Sequence, residues 1–219
     1  MPRDSAHDID PNVLLQAYAI GYFPMARGRA EAGVVWVLPD QRGVLDLDAA
    51  RLPRKLRRQI AQEPFEVRVD SDFVGVMQGC AEATPGREDT WINDVIFDAY
   101  AALHRMGRAH SIECWADGAL VGGLYGVTLG QIFCGESMFS RRTNASKVAL
   151  AYLVAHLKRG GFRLLDTQFY TEHLAQFGVE EISAADYQRH LDALSRAPAM
   201  IERVHLAAEA VLQSITQTS

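Results

Sequence analysis

The chain has 219 residues, 48% of them hydrophobic, enough to bury a substantial core as one large domain or as a small domain joined to a medium one. A formal charge of -5 excludes a protein coated in basic charge, so any contact with nucleic acid has to come from a local cluster. The longest apolar runs, such as ALVGGLYGV at 119–127, fall short of the roughly 18 to 20 residues a membrane span needs, and MPRDSAHDIDP has acidic residues where a secretory signal carries its apolar stretch; a cytoplasmic protein without membrane contact is expected.

In chain order, Asp10 before Pro11 opens a short helix over 11–20 that ends at Gly21. The turn GYFPM follows, then VVWVLPDQRGVLDL, whose strand character Pro39 breaks. RLPRKLRRQIAQ reads as a helix dense in cations: Arg51, Arg54, Lys55, Arg57 and Arg58. The composition changes near residue 60, which sets the expected domain boundary: a small N-terminal α/β domain over 1–60 carrying the basic cluster, and a larger domain over 61–219.

FEVRVD alternates like a strand, and Phe73, Val76, Met77 and Cys80 recur at helical spacing. A loop with Pro85 and Gly86 separates them from a helix near 93–106 with Ile96, Tyr100 and Leu103 as its buried stripe and Gly107 as its stop. The pattern then changes to strands, AHSIECWA, ALVGGLYGVTL and QIFCGESMF, joined by turns at Asp117-Gly118 and Gly130: an antiparallel meander. Asn144 is placed to cap a helix reaching Lys158, RLLDTQF reads as a strand, and Ser183 with Asp186 resembles a capping box. After Pro198, a last helix holds Ile201, Val204, Ala208, Val211 and Ile215 on one face and is expected to dock. Strands flanked by helices around a central meander predict an α+β layered fold.

Cys80, Cys114 and Cys134 are odd in number and lack CxxC spacing, which disfavours a disulfide framework or a zinc site; they read as small buried hydrophobes. The glycines of LVGGLYGVTLG match no phosphate-binding loop and, inside a strand, signal a bulge or a close backbone approach. Two places set polar groups into core strands. Glu136 stands among Phe133, Met138 and Phe139, and in DTQF the alternation of a strand points Asp166 and Gln168 to one face. From spacing alone these are equally a reactive group or a buried network that fixes a core.

GYFPM, WVLPDQRGV, CAEATPGREDTWI, AYAALHRMGRAHSIECW, LVGGLYGVTLGQIFCGESMFS, NASKVAL, GGFRLLDTQF and the later HL, FG and DY pairs keep their order and spacing over 12–191. In these motifs the chain resembles bacterial leucyl/phenylalanyl-tRNA-protein transferases, with GESMFS and DTQ the most specific part. The resemblance implies a larger domain of GNAT-like (acyl-CoA N-acyltransferase-like) fold, with a mixed, largely antiparallel sheet flanked by helices. It implies a leucyltransferase that moves Leu or Phe, with Met a further donor, from aminoacyl-tRNA to the N-terminal α-amine of proteins beginning with Arg or Lys. The new terminus marks those proteins for N-end rule degradation. No cofactor and no metal are implied, and a monomer is expected.

By the same resemblance, Asp166 polarises Gln168, which draws on the attacking amine, while Glu136 joins the network. Leu124, Phe133, Ser137, Leu150, Leu153 and Leu165 fall at positions lining the aminoacyl pocket. Tyr18, Trp91 and Tyr100 match the cleft that stacks on the terminal adenosine. Arg54, Lys55, Arg57 and Arg58 match the tRNA-binding surface. Asp166→Ala or Glu136→Ala is expected to slow transfer without unfolding the chain. Two rival readings are an acyl-CoA acetyltransferase, disfavoured by SRRTNAS where a glycine-rich pyrophosphate loop belongs, and a non-catalytic tRNA-binding module.

Overall fold

The structure is a computed structural model that describes residues 8–31, 33–83 and 88–216. Its elements in chain order are α1 (Pro11–Ala19), β1 (Phe23–Met25), β2 (Val35–Val37), β3 (Gln41–Asp46), α2 (Arg54–Ile60), β4 (Glu66–Val69), α3 (Phe73–Ala81), α4 (Asp94–Arg105), β5 (Ala109–Ala116), β6 (Ala119–Leu129), β7 (Ile132–Ser140), α5 (Ala145–Arg159), β8 (Leu164–Gln168), α6 (Glu172–Ala175), β9 (Glu180–Ser183), α7 (Ala184–Leu194) and α8 (Ala208–Thr216). The loop expected at Pro85 and Gly86 lies outside the described residues. None of the described helices is long and apolar enough to cross a membrane.

Seven strands form one sheet in the order β4-β5-β6-β7-β8-β3-β9, and β1 pairs with β2 in a separate ribbon. Pro39 does interrupt the early strand run: its two halves, β2 and β3, enter different sheets. The meander is present as β5-β6-β7, turned at Asp117 and Gly118, both at positive φ as a tight hairpin of this hand requires. The strand glycines permit close approach: a Cβ on Gly126 would stand 2.3 Å from the Cys134 carbonyl, beside the register shift at Tyr125/Gly126.

The composition change near residue 60 does not coincide with a break in the sheet. Strand β3, on its N-terminal side, is hydrogen-bonded antiparallel to both β8 and β9, while Leu56 and Ile60 of α2 sit in the core beside α5 and α8. Apolar side chains pack on both faces of the sheet. One face carries α5, α2 and α8, with Leu45, Leu124 and Leu165; the other carries α1, α3, α4 and α7, with Phe73, Tyr100, Tyr125 and Tyr187. All three cysteines are buried, and none of them forms a disulfide.

Most helix starts follow their sequence signals. Asp10 and Ser183 accept from the backbone N–H of Asn12 and Asp186 at 2.8 and 3.1 Å, and Asn93, not singled out as a cap in the sequence, accepts from that of Ile96 at 2.9 Å. Asn144 does not: it sits in the left-handed region at φ 65°, and its side chain donates to Gln59 Oε1 at 2.8 Å, tying α5 to α2. The tail also departs from expectation. Only 208–216 is helical; the preceding stretch is an extended strap that buries Ile201, leaves Val204 exposed, and is held by Arg203 Nε on Asp70 Oδ2 at 2.9 Å and by Arg159 Nε on Glu202 Oε2 at 2.7 Å.

Candidate active site

Strands β7 and β8 run parallel but pair only at Ile132↔Leu164, Phe133↔Leu165 and Cys134↔Asp166. Beyond that point the ladder stops while β7 continues to Ser140, and a cavity of about 300 Å³ opens between the strands. Leu124, Met138, Leu150, Leu153, Leu165 and Leu174 make it apolar, and Glu136, Ser137, Thr167, Thr171 and His173 bring polar groups to its walls. Five of the expected pocket residues, Leu124, Ser137, Leu150, Leu153 and Leu165, line it. Phe133 does not: it is fully buried and packs edge-on against Phe162, 6.5 Å between centroids, as part of the core.

Glu136 is half-buried, and its carboxylate accepts from Tyr18 Oη at 2.6 Å and from Tyr100 Oη at 2.8 Å, while the two hydroxyls lie 2.5 Å apart. Burial raises its pKa to about 7 against the pull of the two tyrosines and of Gln168, which favour the charged form. Burial first and the Glu136 charge second push both phenols well above their ordinary range, so they remain donors. Tyr18 and Tyr100 are therefore not stacking platforms. Both have no exposed surface, and they hold Glu136. Trp91 is half-buried against the α1/α4 core and its carbonyl accepts from the Ala26 N–H at 3.0 Å, outside the cavity lining.

The acid and carboxamide of DTQ are arranged differently from the expectation. Asp166 is sealed from solvent, and neither it nor Gln168 is part of the cavity wall. Both Asp166 oxygens are engaged: Oδ1 accepts from Arg42 Nε at 2.9 Å and from the Gln168 backbone N–H at 2.8 Å, and Oδ2 from Arg42 Nη2 at 2.6 Å and Tyr187 Oη at 2.7 Å. Asp166 thus fixes the Gln168 main chain and does not polarise its carboxamide. Gln168 stands at φ 63°, a strained setting for a side chain with a Cβ, and its buried Nε2 has no hydrogen-bond partner of its own although the amide is near enough to Glu136 to stabilise its charge.

Arg42 is the residue that sequence reasoning passed over. Its guanidinium lies between the Phe23 and Tyr187 rings, 4.8 and 4.5 Å from their centroids, and donates to the Gly21 carbonyl at 3.0 Å. It sits inside WVLPDQRGV and Tyr187 inside DY, motifs quoted above without a role for either. Thr167, Thr171, His173 and Leu174 were also missed; the Thr171 side chain, which accepts from Leu174 N–H at 3.2 Å, is the local signal for the short α6 that it caps and that carries His173 and Leu174 to the cavity. The cations Arg54, Lys55, Arg57 and Arg58 stand exposed on α2.

A forked mixed sheet flanked by helices, with an apolar cavity in the fork, is a GNAT-like fold. In agreement, the structure aligns with the crystal structure of FemX at a TM-score of 0.53 and 11% identity, over 78% of this chain and 66% of that one. The models "Leucyl/phenylalanyl-tRNA protein transferase" and its N-terminal domain match residues 44–192 and 7–40. A leucyl/phenylalanyl-tRNA–protein transferase of Paramagnetospirillum magneticum is 58% identical over 84% of this chain and 88% of its own. One from Roseobacter denitrificans is 51% identical over 96% and 99%. The chain belongs to the leucyl/phenylalanyl-tRNA protein transferase family.

Proposed function

We propose that the chain transfers leucine or phenylalanine from aminoacyl-tRNA to the α-amine of proteins that begin with Arg or Lys. The observation that carries this reading is the apolar cavity in the β7/β8 fork with Glu136 on its wall. Its volume, about 300 Å³, lies at the small end of ligand sites, and six aliphatic side chains suit a leucyl or phenylalanyl group.

The donor is an ester already activated, so the protein's tasks are to position the amine and to handle its proton. An α-amine has a pKa of about 7.7 to 8.0 and is mostly protonated at pH 7. Asp166, closed off by Arg42 and Tyr187, is a positioning residue that sets Gln168. Glu136, whose pKa of about 7 gives it both protonation states near neutrality, is the carboxylate fitted to exchange a proton with the amine. Arg54, Lys55, Arg57 and Arg58 supply phosphate contacts. The protein acts as a monomer.

The acetyl-CoA reading asks for free backbone donors where β7 turns into α5. Here the Ala145 N–H bonds the Arg142 carbonyl at 3.1 Å and the Ser146 N–H bonds Ser140 Oγ at 3.0 Å. The deciding experiment is transfer of labelled amino acid from leucyl-, phenylalanyl- and methionyl-tRNA to a peptide starting with Arg. Leucine transfer is expected; none from any donor would refute the reading.

A further inference from the structure

A second cavity, of about 310 Å³, lies beside the first and is lined by Pro53, Arg54, Lys55, Leu56, Asn144, Lys147 and Gln176. The two have no lining residue in common but draw on neighbouring positions of the same two segments, α5 and the stretch around α6. On α5, Lys147, Leu150 and Leu153 follow one another at three-residue steps along one stripe, the lysine facing the basic cavity and the leucines the apolar one. Across from them, Leu174 faces the apolar cavity and Gln176 the basic one. Lys147 also stands near enough to His173, on the apolar cavity's rim, to help burial hold that imidazole below its ordinary pKa.

Lys147 is half-buried, yet among the described residues no acid pairs with it, nor with Arg54 or Lys55. In a chain with a net charge of -5, three neighbouring cations with no acid paired to them among the described residues, one of them half-buried, make a local place for an anion. The lining fits a phosphodiester: ammonium and guanidinium for the charge, and the carboxamide of Gln176 for an uncharged oxygen.

Resting on the transfer reading above, we infer that Lys147 holds a phosphodiester of the donor's single-stranded 3′ end, so that the strand passes from the α2 cations along the α5–α6 groove and delivers its terminal ester to the fork. Lys147 is here a binding residue for the nucleic acid and takes no part in the chemistry.

Lys147→Met keeps the apolar stem and removes the charge. Two donors separate the roles: leucyl-tRNA, and leucyl-adenosine, which has no phosphate. The variant is expected to raise KM for leucyl-tRNA about tenfold, with kcat and the leucyl-adenosine reaction unchanged. In anisotropy titrations with uncharged tRNA, its log Kd against log salt slope should fall by about one, and Lys147→Arg should restore binding. Equal losses with both donors would assign Lys147 a structural role and overturn the inference, as would unaltered tRNA affinity and slope. The titration needs no turnover: a native protein that bound tRNA in this salt-dependent way but transferred nothing would refute the transfer reading and leave the groove standing.

Discussion

Arg42 and Asp166 meet side to side across 124 residues of sequence, Nε to Oδ1 at 2.9 Å and Nη2 to Oδ2 at 2.6 Å, with both side chains closed to solvent. Removing one partner of such a pair strands a buried charge at a cost of about 3–5 kcal/mol, whereas replacing both with apolar groups is often neutral. Asp166→Ala is therefore expected to destabilise the fold, in place of the clean loss of activity that the sequence suggested. Arg42→Met with Asp166→Leu should recover only part of that stability, because Tyr187 Oη, the Gln168 N–H and the Gly21 carbonyl lose their partners, and should not recover transfer, as read by the urea midpoint at unchanged m.

Glu136 links pH to stability. Its folded pKa of about 7 lies above the roughly 4.3 of a free glutamate, so between these values the folded state keeps a proton that the unfolded chain has released. The stabilisation from that proton is whole below about 4.3 and is lost as pH rises through about 7. Glu136→Gln should thus gain in Tm relative to the native protein from pH 5 to pH 8. His156, buried and depressed to about 4, has the opposite sign, losing stability as pH falls from about 6.5 toward 4.

Tyr100→Phe takes away a donor at 2.8 Å that favours ionised Glu136. The acid limb of the single-turnover pH–rate profile should move to higher pH, with little change in the alkaline plateau. An unmoved limb would remove Glu136 from proton transfer.

Gln168 combines a left-handed backbone with an unpartnered buried Nε2. Glycine accepts that backbone freely and has no amide to satisfy, so Gln168→Gly is expected to stabilise the fold by about 0.5–1 kcal/mol while lowering transfer at least tenfold. Chemical denaturation paired with the transfer assay tests both halves.

Leu153 lies on the cavity wall, so Leu153→Phe narrows the space for the aminoacyl side chain. Apolar discrimination runs at about 1–3 kcal/mol per methylene, and phenylalanyl transfer should fall roughly tenfold more than leucyl transfer. Competition between the two charged tRNAs measures the ratio.

What was legible in the sequence were features of short range. Alternation marked the β5-β6-β7 meander, cap residues marked the starts of α1 and α7, and an apolar stripe ending at Gly107 marked α4. Of the positions that the family motifs suggested, Glu136 and five others lie on the cavity wall. The illegible features depend on partners far along the chain. An arginine after a turn looks the same whether it points to water or, like Arg42, to an aspartate 124 residues on. Likewise, nothing local in Tyr18 says that its hydroxyl meets residue 136, and Asn144 carries a cap's chemistry on a backbone that cannot use it.

Strand β3, residues 41–46, closes its ladder only against 164–168 and 180–183. A ribosome therefore delivers the early part of the chain long before its partners exist, and Arg42 emerges with no counterion to meet. Such distant closure slows folding and leaves an unpaired edge waiting through most of synthesis. Truncated chains ending before about residue 160 are thus the species that chaperones and proteases would find first.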